Sequence, residues 1–147
     1  MTAEHADNAR DPERRAFYHR PGPQAEHVIA TVLARLHRVE DELRVIDGYL
    51  THGAGFAAYL RLDDTAPHEA VLLERYEQCY ADAWASLDDL ATDTVEALGW
   101  REALTELTDR EGIPADALTW NPRAIYGQLH EMYSFVELDG LLHDFHR

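Results

Sequence analysis

The sequence predicts an α+β protein, mainly helical, that closes on a β-hairpin. Three observations carry this. Apolar residues recur at spacings of three and four through most of residues 24–131. The period switches to two only within Tyr133–Phe145. Asp139-Gly140 then separates two short strand-like runs, as a two-residue type I′ turn requires. A hydrophobic content of 46 % with 10 % aromatics belongs to a folded chain, and 147 residues fit one domain or two small ones.

The elements follow in order. Residues 1–23 read as a polar tail of mixed charge, with a short helix around Pro12–Tyr18 and a break at Pro21-Gly22-Pro23. Residues 24–66 hold a long helix and a short one. Ile29, Leu36, Leu43 and Leu50 stand seven apart, and Val32, Val39 and Ile46 repeat three positions later. That heptad predicts one helix from Gln24 to about Thr51, roughly 40 Å long at 1.5 Å per residue. Its seam can pack within the domain or pair with a second copy. Gly48 inside it reads as a mild weak point, and Gly53 ends it. A short apolar helix follows over Gly55–Leu62.

Residues 67–147 form the acidic region. A helix is expected over Glu69–Trp84, with Leu72, Leu73, Tyr76, Tyr80 and Ala83 inward and Glu74, Glu77 and Asp82 outward. Ser86 and Asp89 resemble a capping box, so a helix starts at Leu87. Leu98-Gly99-Trp100 closes it and opens Trp100–Thr108. Asn121-Pro122, an N-cap before a proline, opens another through about Glu131. The hairpin comes last and needs other elements to dock on.

Charge is unevenly placed. Between residues 61 and 120, fifteen acids stand against four arginines, leaving eleven of the chain's fifteen net negative charges there. Residues 1–40 balance six acids with six arginines. On the predicted helices, Asp89, Asp93 and Glu96 fall at i, i+4 and i+7 beside Asp88, and Glu102, Glu106 and Asp109 repeat the spacing. Carboxylates four apart rise about 6 Å along the axis, close to the spacing of phosphates along a tilted nucleic-acid strand. Like charges at that spacing cost a helix about 0.2–0.5 kcal/mol per pair. A net charge of −15 repels nucleic acid and favours a cationic partner.

Enzyme chemistry finds little support. Neither serine, Ser86 or Ser134, lies in a nucleophile-elbow context. Cys79 falls on a core-facing helix, and as the only cysteine it forms no internal disulfide, which fits a reducing compartment. His143 and His146 take opposite faces of a strand, and the nine histidines offer no metal-ligand spacing. Asp63-Asp64 and Asp88-Asp89 lack the alternating ligands of a calcium loop. The expectation is a non-enzymatic, cytoplasmic protein with no cofactor, no metal and no membrane span.

The run Arg75-Tyr-Glu-Gln-Cys-Tyr80-Ala-Asp-Ala-Trp84-Ala-Ser86-Leu-Asp-Asp-Leu-Ala91 resembles the central signature of the ArdA-type antirestriction proteins. Leu50–Leu60 is similar to that family's helix-glycine-helix step, and Ile113-Pro114, Leu118, Trp120 and Tyr133–Phe145 to its closing helix and hairpin. The resemblance covers about residues 45–147. It departs at Asp82, where the family has glycine, and the family's N-terminal domain has no counterpart. It implies an elongated acidic homodimer that imitates bent DNA in the groove of a type I restriction–modification enzyme. The phosphate-mimicking residues are then Asp88, Asp89, Asp93, Glu96, Glu102, Glu106 and Asp109, with Glu74, Glu77 and Asp82. The alternative is an acidic interaction module, of the immunity or regulator kind, on another basic partner such as a CRISPR effector or a repressor.

Overall fold

The computed structural model describes residues 20–147. The expected tail helix at Pro12–Tyr18 lies outside them. Seven helices and three strands follow in order: α1 (Pro23–Arg35), α2 (Val39–His52), α3 (Ala54–Tyr59), α4 (Leu72–Cys79), β1 (Tyr80–Trp84), α5 (Leu87–Ala97), α6 (Trp100–Glu111), α7 (Pro122–Leu129), β2 (Tyr133–Leu138) and β3 (Leu141–His146). The fold is α+β.

The long heptad helix is not formed. It divides at Leu36-His37-Arg38, where Leu36 and Arg38 take extended backbone, and α1 and α2 pack against each other and on α3. No proline or glycine causes the break. A single rod has one apolar seam, whereas two helices turned on α3 bury Ala25, Val28 and Ile29 from one side and Val45 from the other around Phe56. Tertiary burial therefore overrides the repeat. Glu40, Asp41 and Glu42 occupy the first turn of α2, where the helix dipole favours anions.

Gly48 is a contact point rather than a weak one. A Cβ there would lie 2.5 Å from Phe56 Cζ and 2.7 Å from Leu73 Cδ2. Without it, α2 seats directly on the aromatic ring. That ring belongs to a cluster in which Phe56, Tyr59, Tyr76, Tyr80 and Phe145 meet with centroids 5.2–5.9 Å apart between successive members.

The predicted helix over Glu69–Trp84 stops at Cys79, and Tyr80–Trp84 becomes β1. The hairpin supplies the reason. β3 is buried along nearly its whole length and has two edges to satisfy. β2 takes one and β1 the other, giving an antiparallel sheet in the order β1-β3-β2. Asp139 and Gly140 both take positive φ (50° and 79°), as the type I′ turn demands.

The turn also holds α1. Gly22 offers no capping side chain, and Asp139 supplies one across the fold: its carboxylate accepts from Gln24 N at 2.8 Å and Ala25 N at 3.0 Å. Gln24 Oε1 accepts from Asp139 N at 2.7 Å in return. Asp139→Ala is expected to cost about 1–2 kcal/mol, as loss of an N-cap does, measured by urea unfolding. A change below a few tenths would show the contact to be idle.

Local start signals hold as read. Ser86 Oγ accepts from Asp89 N at 3.1 Å, and Asn121 Oδ1 accepts from Arg123 N at 3.1 Å. Two smaller cores complete the packing. Trp84, Leu90 and Leu142 form one, and Ala91, Val95 and Ile125 the other, where α5 meets α7.

Candidate functional site

Where the acidic side chains point follows from which side of each helix is buried. α4 buries Leu72 and Tyr76, so Glu74 and Glu77 are turned outward and exposed. Glu77 Oε1 lies 3.6 Å from His52 Nε2. α5 buries Leu90, Ala91 and Val95, which leaves Asp88, Asp89 and Glu96 exposed. Asp88 and Asp89 occupy its first turn, where the exposed N–H groups favour negative charge.

Leu98 and a left-handed Gly99 reverse the chain into α6. Of the twelve residues of α6 only Thr108 is buried, and Glu102, Glu106 and Asp109 form an exposed line spanning about 10 Å along it. Stacking of Trp100 on Trp120, with ring centroids 6.0 Å apart, fixes the start of this helix.

Ion pairing divides the ten predicted residues further. Glu96 is paired with Arg101, and Glu77 faces His52. Among the described residues, Glu74, Asp88, Asp89, Glu102, Glu106 and Asp109 have no ion pair within 4.0 Å. Arg110, the remaining cation of α6, binds Glu111. Of the ten predicted residues, six exposed carboxylates with no ion pair among the described residues thus remain, on α4, α5 and α6.

Two predicted positions are not exposed. Asp82 is buried, because residue 82 lies in β1 rather than on a helix surface. It stands opposite Asp144 on β3, and its backbone N–H donates to Asp144 Oδ1 at 2.7 Å. Asp93 is half-buried, and its charge adds to the rise of the Asp144 pKa. For Asp82 the correction has one cause: the chain from Tyr80 to Trp84 leaves helical geometry to pair with β3.

Asp144 is held well above the usual carboxylate range, mainly by burial, and further by the charges of Asp82 and Asp93. A raised carboxyl pKa in the fold means that the native state binds the proton more tightly than the unfolded chain. This contribution is therefore full below the unfolded value, about pH 4, and is lost as pH rises through the folded one. Asp144→Asn keeps the acceptor for Asp82 N and removes the charge. Its stability is expected to gain on the wild type as pH rises from 4 to 8, in thermal scans. Parallel curves would refute the assignment.

A cleft of about 850 Å³ is lined by Arg61, Arg75, Arg147, Asp63, Asp64 and Cys79, among others. Burial pushes the Cys79 thiol up to about 11, so it is protonated at neutral pH and a poor nucleophile. Among the described residues no group of three His, Cys, Asp or Glu could hold a metal ion, and no helix is long and apolar enough to cross a membrane.

Sequence reasoning missed one surface feature. Val39, Leu43, Ile46 and Leu50, read as part of a seam that packs within the domain or pairs with a second copy, are exposed. The signal was present: the run Glu40-Asp41-Glu42 marks a helix start in the middle of the supposed rod. In comparisons with protein-family models, curated proteins and solved structures, the chain matches none.

Proposed function

We propose that this protein is a DNA-mimic inhibitor that acts without a catalytic step. Its exposed carboxylates stand in for phosphates and pair with Arg and Lys in the DNA groove of a type I restriction–modification enzyme. One observation carries the reading: six outward carboxylates on α4, α5 and α6 have no ion pair among the described residues. A field of that kind draws in a basic groove at long range and rejects nucleic acid. The resemblance of Arg75–Ala91 to the antirestriction signature supports this choice of target, and the proposed place of action is the cytoplasm.

The test is DNA cleavage by purified type I enzymes, titrated with this protein at two salt concentrations. Inhibition is expected to weaken at the higher salt, and short duplex DNA is expected to displace the protein from its target. Bound protein that duplex DNA fails to displace, or a target that binds no DNA, rejects mimicry in favour of an immunity-type module.

A further inference from the structure

The outward face of α2 is apolar in an otherwise acidic molecule. Val39, Leu43, Ile46 and Leu50 are 67 %, 59 %, 38 % and 80 % exposed. Their spacing of four, three and four puts them in one narrow stripe. It runs about 16 Å along the helix. The opposite side of α2, with Asp41, Val45 and Gly48, is buried, so the stripe is not the edge of the core. Four large apolar side chains in a row mark a surface for a partner rather than scattered exposure.

What borders the stripe decides which partner. Glu42 and Tyr49 lie along one side, and Glu40 and Asp47 along the other. Arg44 points to the buried side, where it pairs with Asp41 at 3.0 Å. Among the described residues Arg38 pairs with Glu40 alone, at the N-terminal end, at 3.3 Å. Glu42 and Asp47 have no ion pair among the described residues. In heptad terms both flanks are acidic. A second copy laid on this face, parallel or antiparallel, sets carboxylates against carboxylates. An anionic bilayer is repelled in the same way.

We propose that the α2 face docks an amphipathic helix of another protein, one whose apolar seam is flanked by Lys or Arg. The apolar knobs supply contact area and the acidic borders select the partner's charge and orientation. This surface is independent of the carboxylates on α4, α5 and α6.

Three 21-residue helical peptides test it, each added to the full chain with binding followed by calorimetry. One has Leu and Ile at the seam and Lys at the flanking positions. The second has the same seam with Glu at the flanks, and the third is a scramble of the first. The basic peptide is expected to bind at least tenfold more tightly than either, and Leu43→Ser/Leu50→Ser to remove that advantage. Equal binding of the basic peptide and its scramble, or an advantage that survives in the double variant, would overturn the proposal. So would a full-length chain that sediments as a dimer and becomes monomeric in that variant.

Discussion

Changing Glu74, Asp88, Asp89, Glu102, Glu106 and Asp109 together to their amides is expected to abolish inhibition while leaving the fold intact. Each is exposed and unpaired among the described residues, so none supports packing. The net charge moves from −15 to −9. Single replacements are expected to reduce inhibition no more than about fivefold, since an exposed pair contributes about 0.2–1 kcal/mol and the neighbours keep the field. Six such losses sum to about 1–6 kcal/mol, roughly one to four decades in affinity.

Stability should barely move. Neutralising Asp88 and Asp89 gives up a helix-dipole term of about 0.3–1 kcal/mol each, and relief of repulsion along Glu102, Glu106 and Asp109 offsets part of it. The Ser86 cap survives because it takes the backbone N–H of residue 89. The readout is the cleavage assay beside a circular-dichroism melt. A folded six-fold variant that still inhibits fully would disprove mimicry by these groups.

Gly48→Val is expected to cost about 3 kcal/mol, the upper end for overpacking a core. Propensity alone predicts the opposite sign, because valine is a better helix former than glycine by a few tenths of a kcal/mol. Geometry decides between them. The added Cβ alone would stand 2.5–2.7 Å from Phe56 and Leu73, two side chains fixed from behind by the aromatic cluster. Gly127→Ala in α7 provides the control, since a Cβ there meets nothing within 4 Å. It is expected to stabilise by up to about 1 kcal/mol. Urea unfolding of both variants checks the pair, and stabilisation by Gly48→Val would mean that α2 does not seat on Phe56.

Legibility followed the range of the interaction. The caps at Ser86 and Asn121 and the Asp139-Gly140 turn are visible in sequence because their partners lie within four residues. The break after Arg35 was marked locally only by the acids Glu40-Asp41-Glu42, since both halves of Gln24–Thr51 keep helical spacing. β1 was hidden for the same reason. Tyr80–Trp84 extends the period of α4, and its strand geometry answers a need of β3 more than fifty residues away.

The sequence by itself determined the α+β class, the helix starts at Leu87, Trp100 and Pro122, the hairpin and the concentration of negative charge after residue 60. Tertiary structure alone decided which acids face water. Asp82 was drawn inside by pairing with β3, Asp93 was left half-buried, and the apolar face of α2 was left outward. The physical reason is that helical periodicity specifies a face relative to its own axis. What lies against that face depends on the elements that fold over it.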